Sequence, residues 1–327
     1  MDPFSFVKTT DVSEAIEAVA NRPRATFIGG GTALLDLMKD YVERHDCLVD
    51  INRLPFSTIE TTDSGVRIGA LVRNSQMAEH PIIQERYPAL SETILYAALP
   101  QIRNKATVGG NLMQRTRCSY FRDPAFPCNK RIPGSGCPAI SGINRGHALL
   151  GVSEQCIASH PSSMAVALVA FDAVLNTRSP TGTRRIPLTE FYRLPGDTPQ
   201  LETVLQPGEM IISVELPAKP YFAHSAHAKV RDRKLYSNAT VVAALNVEND
   251  TIQEARIALG GVATVPWRAY QAEATLQGRN ANGDAFAAAA EAAVEGMQPT
   301  EYNQFKVELT KRLVVRALRL SRGNQPA

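Results

Sequence analysis

Four of the five cysteines in the chain, Cys118, Cys128, Cys137 and Cys156, fall in one stretch with the spacing C-x9-C-x8-C-x18-C. The residues between them are rich in proline, glycine and arginine, unlike the apolar surroundings in which core cysteines sit. Four thiolates are the number that completes a cubane iron–sulfur cluster or a structural zinc site. The absence of C-x2-C argues against zinc ribbons, common fingers and ferredoxin spacing. Disulfides would need an oxidising compartment, of which the sequence gives no sign. The residues therefore favour iron–sulfur, with zinc and unligated thiols as alternatives. Cys47 lies in an apolar run and reads as a core residue.

Two glycine elements precede this stretch. The first is Phe27-Ile28-Gly29-Gly30-Gly31-Thr32-Ala33-Leu34, between a strand and a helix. Consecutive glycines there let backbone N–H groups approach an anion closely. The second is Thr107-Val108-Gly109-Gly110-Asn111, which adds a hydroxyl and an amide. Neither matches the dinucleotide fingerprint or the P-loop. Either alone is what any tight turn would use; together they are suited to grip one diphosphate from two sides. Lys229, in the short apolar run His227-Ala228-Lys229-Val230, suits a negatively charged group if it points inward, and otherwise snorkels at the surface. His160, three residues past Cys156, reads as an ordinary loop histidine. No nucleophile–base constellation and no histidine metal pair is apparent.

The elements that must position these residues follow from periodicity. Asp11-Val12-Ser13-Glu14 has the form of a capping box opening a helix. Ala25–Ile28 reads as a strand, Leu34, Leu35, Leu37 and Met38 as a helix, and Cys47–Ile51 as the next strand, which together make a small βαβ-like unit. A strand over Gly65–Val72 leads to helices from Ser75 to about Leu99, broken near Pro81 and Pro88. After the cysteines come Met164–Phe171, a strand at Ala173–Asn176, and an alternating strand from Glu209 to Leu216 that ends at Pro217. Beyond a boundary at 217–220, strands are expected near Ala226–Lys229, Ala239–Val247 and Ile252–Leu259. A helix capped by Asp284 and stopped by Gly296 follows. A last helix, from about Asn303 to Arg322, has Phe305, Leu309, Leu313 and Leu320 on one face and Lys306, Lys311, Arg312, Arg316 and Arg319 on the rest.

The chain has 327 residues, enough for two or three domains, and a formal net charge of +3. Between Met113 and His160, Arg115, Arg117, Arg122, Lys130, Arg131 and Arg145 face only Asp123 and Glu154. Basic neighbours of this kind offset a thiolate-ligated cluster, though a solvated basic loop reads the same way. The patch is too small for a nucleic-acid surface and matches no such motif. No run is long enough for a membrane span, and Met1-Asp2-Pro3-Phe4 has no signal-peptide character. A cytoplasmic protein is expected, or a periplasmic one if a signal-bearing partner carries it out.

With both glycine elements in hand, the chain resembles the flavin-binding subunits of the molybdenum hydroxylases, which include xanthine dehydrogenase, carbon monoxide dehydrogenase and aldehyde oxidoreductases. The resemblance implies an α+β chain: a two-subdomain FAD-binding fold of the vanillyl-alcohol-oxidase type (1–55 and 56–220) and a small C-terminal α+β domain (221–327). It makes Phe27–Leu34 the first FAD loop and Ala106–Asn111, with Thr107, Gly110 and Asn111, the second. It places Ile211 against the adenine and Lys229 near the isoalloxazine. Ser163 stands where the family usually has an aspartate. At 113–160 the chain inserts a segment that most members lack. A [4Fe-4S] insertion at this point is similar to that of 4-hydroxybenzoyl-CoA reductase. Runs such as Pro127-Cys128-Asn129-Lys130-Arg131 and Pro133-Gly134-Ser135-Gly136-Cys137 are more similar to the flavin subunits of bacterial periplasmic aldehyde oxidoreductases. The implied cofactors are FAD and a [4Fe-4S] cluster on Cys118, Cys128, Cys137 and Cys156. The implied partners are a molybdenum-cofactor large subunit, a [2Fe-2S] small subunit and an external electron acceptor. Electrons would pass from the partner clusters through FAD, and no catalytic residue is expected in this chain. A stand-alone flavin reductase of the same fold and a zinc-braced binding subunit are the competing readings.

Overall fold

Three sheets organise the chain in the computed structural model, which describes residues 1–232 and 237–323. The first is parallel, in the order β1 (Ser5–Lys8), β3 (Cys47–Asp50), β2 (Ala25–Ile28). Its crossovers carry the helices Val12–Ala20 and Leu34–Lys39. Asp11 caps the first of these, its carboxylate accepting from the Glu14 N–H at 2.8 Å. Leu48 and Val49 are fully buried in the central strand, and Cys47 lies in the same core as Val49.

The second sheet is antiparallel, in the order β4 (Ile59–Thr62), β5 (Gly65–Gly69), β8 (Met210–Pro217), β6 (Val174–Ser179), β7 (Gly182–Pro187). Between β5 and β6 the chain runs through short helices, Asn74–Glu79, Pro81–Arg86, Pro88–Leu95, Pro100–Lys105 and Val108–Leu112, then the cysteine segment, then Ser163–Ala170. Three of these helices begin at a proline, where the missing N–H costs nothing. All eight residues of Ser163–Ala170 are buried, because the helix is packed on several sides at once. Beside it Phe171, Phe222 and Tyr87 stack, with centroids 4.9 Å and 5.5 Å from Phe171.

The third sheet is a meander in the order β12 (Trp267–Arg268), β11 (Thr251–Gly260), β10 (Ser237–Glu248), β9 (Ser225–Arg231). Asn249 and Asp250, at φ 50 and 61, make the tight turn between β10 and β11. Helices Tyr270–Leu276, Gly283–Ala293 and Phe305–Gly323 cover this sheet. Arg268, 5% exposed at its side chain, pairs with Asp172 at 2.7 Å and so ties the third sheet to the turn after Ser163–Ala170.

Two local expectations are corrected here. The Gly283–Ala293 helix is capped by Asn282, whose Oδ1 accepts from the Ala285 N–H at 3.0 Å. Asp284 sits inside the first turn, where its charge still suits the positive helix end. Lys306 does not lie on the wet face of the last helix; it is fully buried.

Candidate functional site

The two glycine elements meet. Gly29–Gly31 leave β2 and turn into the Leu34–Lys39 helix, with Gly31 at φ 72. A Cβ on Gly30 would stand 2.1 Å from the carbonyl oxygen of Lys105, and one on Gly29 would stand 3.0 Å from Thr107 Oγ1. Glycine is therefore required at position 30 by the close approach of the second loop, and position 29 is tight against the Thr107 side chain. Thr107 caps Val108–Leu112, its Oγ1 accepting from the Gly110 N–H at 3.2 Å. Two residues that the sequence did not single out hold the pair together. Asn52 donates to the Gly29 carbonyl at 2.9 Å; Arg73 donates to the Lys105 carbonyl at 2.8 Å and to Asn52 Oδ1 at 2.9 Å.

These loops form one wall of a cleft of about 560 Å³, within the range of small-molecule and cofactor sites. Phe27, Ile28, Gly29, Gly30, Gly31, Thr32, Ala33, Leu34, Thr107 and Gly110 all line it. The facing walls come from the cysteine segment and from the loop after β7. His160 and Tyr192 stack edge to face there, with centroids 4.5 Å apart. Burial pushes the His160 imidazole down to about 3, so it is neutral. Its Nδ1 accepts from the Ser162 N–H at 3.3 Å, which leaves the proton on Nε2. That Nε2 is buried with no hydrogen-bond partner among the described residues, a donor that an acceptor on a bound molecule would satisfy.

Below the cleft lies an ion network that sequence spacing could not reveal. Arg115 donates to Glu43 at 3.0 Å and, through Nε and Nη2, to Glu202 at 3.1 and 3.0 Å. Lys130 Nζ reaches the same Glu202 oxygen at 3.0 Å. Burial works to raise the carboxyl of Glu202, but Arg115 and Lys130 together hold it below the usual carboxylate range. Arg117 and Arg122 pair with Asp36 at 3.3 and 2.6 Å. The basic segment is thus neutralised by acids from distant parts of the chain, and is not simply a solvated loop.

The four cysteines converge. Cys118, Cys128, Cys137 and Cys156 line one small cavity, and all are free thiols. Cys156 also lines the large cleft, so the two spaces share a wall. Burial pushes the Cys118 thiol up to about 12 and Cys156 to about 11, and the neighbouring cysteines add to both shifts. His147 Nε2 lies 3.1 Å from Cys118 Sγ, and the Ala158 N–H points to Cys156 Sγ at 3.4 Å. Among the described residues, no three His, Cys, Asp or Glu side chains gather closely enough to hold a single metal ion.

Four residues expected at the flavin lie outside the cleft lining. Asn111 Oδ1 accepts from Ser162 Oγ at 2.6 Å and from Gln114 at 2.9 Å, bracing the cap of Ser163–Ala170. Ser163 lines a narrow crevice that also touches His160. Lys229 Nζ donates to Ser163 Oγ at 3.0 Å, and burial brings its pKa down to about 8. Lys229 is therefore inward and not snorkelling. Ile211, on β8, is 6% exposed and belongs to the core beneath the second sheet.

Comparison with known proteins places this geometry among relatives. Residues 2–219 match the FAD binding domain in molybdopterin dehydrogenase, and residues 226–320 match the CO dehydrogenase flavoprotein C-terminal domain. The chain is 47% identical over 326 residues, 99% of both sequences, to the aldehyde oxidoreductase FAD-binding subunit PaoB of Escherichia coli K12. It is 26% identical, over 96% of both sequences, to the carbon monoxide dehydrogenase medium chain of Hydrogenophaga pseudoflava. A solved structure of carbon monoxide dehydrogenase from that organism superposes with a TM-score of 0.78 over 99% of both chains, at 25% identity. The two-part FAD-binding fold with a small C-terminal domain is the fold of that medium chain.

Proposed function

The chain belongs to the family of FAD-binding medium subunits of the molybdenum hydroxylases, and on that basis we propose that it is the FAD and [4Fe-4S] subunit of an aldehyde oxidoreductase complex. The observation that carries this reading is the cleft closed by two interlocked glycine loops, with an unsatisfied His160 donor in its wall. Gly29–Thr32 and Thr107–Gly110 would hold the diphosphate through their backbone N–H groups. Tyr192 and His160 would flank the bound molecule and exclude water. FAD, when bound, supplies reversible exchange of two electrons, taken up or released singly. The chain's residues would hold and orient it; the redox chemistry needs no acid or base from them.

The proposed partners are a large subunit with the molybdenum cofactor, where aldehyde is oxidised, and a small subunit with [2Fe-2S] clusters. An external acceptor would take the electrons from this chain. The four thiols suit an iron–sulfur cluster better than zinc. Tetrahedral zinc draws its sulfurs to about 3.8 Å of one another, given a Zn–S bond of about 2.3 Å. The cysteines surround a common cavity without closing to a single-ion site. A cubane cluster would take one thiolate at each of four iron corners, the number of thiols that line this cavity. Cys118, Cys128, Cys137 and Cys156 would each supply one ligand, and burial raises the thiols of Cys118, Cys137 and Cys156, so that loading must displace protons there.

Flavin and iron analysis of the co-purified complex tests the proposal. One FAD and four irons per chain, beyond those of the small subunit, are expected, with flavin bands over a broad blue shoulder. Cys128→Ser should lose this iron and keep the flavin. A Cys128→Ser protein with its full iron complement would refute the cluster assignment, and a complex without flavin would refute the whole reading.

A further inference from the structure

Lys306 is the anomaly of the C-terminal domain. It lies in the first turn of the Phe305–Gly323 helix, the end at which a cation is disfavoured, and it is fully buried. Its Nζ donates to the carbonyls of His147 and Gly261, both at 2.9 Å. Among the described residues no carboxylate pairs with it. Burying an ammonium against carbonyls alone is costly, and a site keeps such a group when a negative charge nearby compensates it. Burial, with Arg145 adding to it, brings the lysine down to about 7. The carbonyl that Lys306 grips belongs to the residue whose ring faces a cysteine: His147 Nε2 is 3.1 Å from Cys118 Sγ. His147 is itself buried and packs on Tyr120 at 6.3 Å between centroids. One continuous chain of contacts therefore runs from the cysteine cavity to the C-terminal helix.

We propose that His147 is the N–H donor to the Cys118 sulfur of the cluster and that Lys306 is the buried positive charge behind it, so that the C-terminal domain raises the cluster's electron affinity. This rests on the iron–sulfur reading above. Four thiolates give the cluster a net negative charge, and a one-electron reduction adds one more without a proton. A hydrogen bond to sulfur and a cation in a low-dielectric site both stabilise the more negative form. Lys306 is a positioning residue for His147 as well, since it fixes the backbone that carries the imidazole.

The test is a reductive titration of the purified complex with dithionite, following the cluster by electron paramagnetic resonance, alongside iron analysis. His147→Leu should keep its iron and show a reduction equilibrium constant about tenfold lower, which is about 59 mV for one electron. His147→Gln, which keeps an N–H donor, should return most of that shift. Lys306→Met should lower the potential in the same direction with iron intact. An iron-loaded His147→Leu at the wild-type potential overturns the proposal, as does a His147→Gln shifted as far as the leucine variant. If the leucine variant fails to load iron, the glutamine variant decides. Loaded and near the wild-type potential, it supports a donor; iron-free, it overturns the proposal. A wild-type complex without iron in this subunit removes the cluster reading and this proposal together, whereas a loaded wild type with unmoved variants removes the proposal alone.

Discussion

Gly30→Ala is the sharpest probe of the cleft. The new Cβ would meet three backbone atoms, with Lys105 O at 2.1 Å, Lys105 C at 2.9 Å and Ala106 Cα at 3.0 Å. Ordinary contact begins at 3.4 Å, so the two loops must part by about 1.3 Å. The second loop cannot drift freely, because Arg73 holds the Lys105 carbonyl at 2.8 Å and Asn52 holds Gly29. Overpacking of this kind costs about 1–3 kcal/mol of stability. A diphosphate held by both loops loses one set of charge-assisted hydrogen bonds when they separate, about 1.5–3 kcal/mol. That weakens FAD binding by about 10–150-fold. Flavin fluorescence titration of the deflavinated protein measures the affinity, and thermal melting of the same sample measures the fold. Gly283→Ala is the control, since a Cβ there meets nothing within 4 Å. A Gly30→Ala protein that bound FAD at wild-type affinity would show that the loops do not grip one ligand together.

Other outcomes follow from the buried charges. Glu202→Gln leaves Arg115 with Glu43 alone and Lys130 with a carbonyl, and should cost about 3 kcal/mol in chemical denaturation; an unchanged midpoint would mean the network is not coupled to folding. Glu43 and Glu202 both titrate below 4.5 in the fold, so their contribution is complete above about that pH and is lost as pH falls through their folded values. Glu202→Gln should flatten that acid limb. His227 donates to or accepts from Thr240 at 2.8 Å and is pushed by burial from 6.5 to about 3. Its unfolded form takes up a proton first, so stability is full above pH 6.5 and declines by about 1.36 kcal/mol per pH unit below it. His227→Gln should show a shallower decline between pH 6.5 and 5, and an equal slope would place the titration elsewhere.

Much of this molecule is written in local pattern. The capped helix at Asp11, the proline-initiated helices, the alternation along β8 and the small parallel sheet are all periodic signals with turn residues beside them. The two glycine loops announce a backbone that must come close to something, and the structure shows that the nearest something is each other. Lys306 defeated the same logic. Helical periodicity assigns a charged residue to the wet face, and only the placement of His147 and Gly261 explains why this one is inside. The acids that neutralise the cysteine segment, Asp36, Glu43 and Glu202, lie far from it in sequence, so no spacing rule connects them. β1 went unread because Phe6, in its middle, is 48% exposed and the strand shows no alternation. Asn52, Arg73, His147 and Tyr192 carried no motif, and Asn52 and Arg73 lie far along the chain from the glycine loops that they hold.

Glu202 accepts from Arg115 and Lys130 of the cysteine segment and lines the same cleft as the glycine loops. The floor of the binding space is therefore assembled from parts that are strangers along the chain. A nascent polypeptide displays both glycine loops well before Glu202 is made. Until the segment from Arg115 to Lys130 has closed onto that glutamate, the cleft has one wall and no base. A subunit whose cysteine segment has not closed onto Glu202 is therefore expected to lose bound flavin during purification.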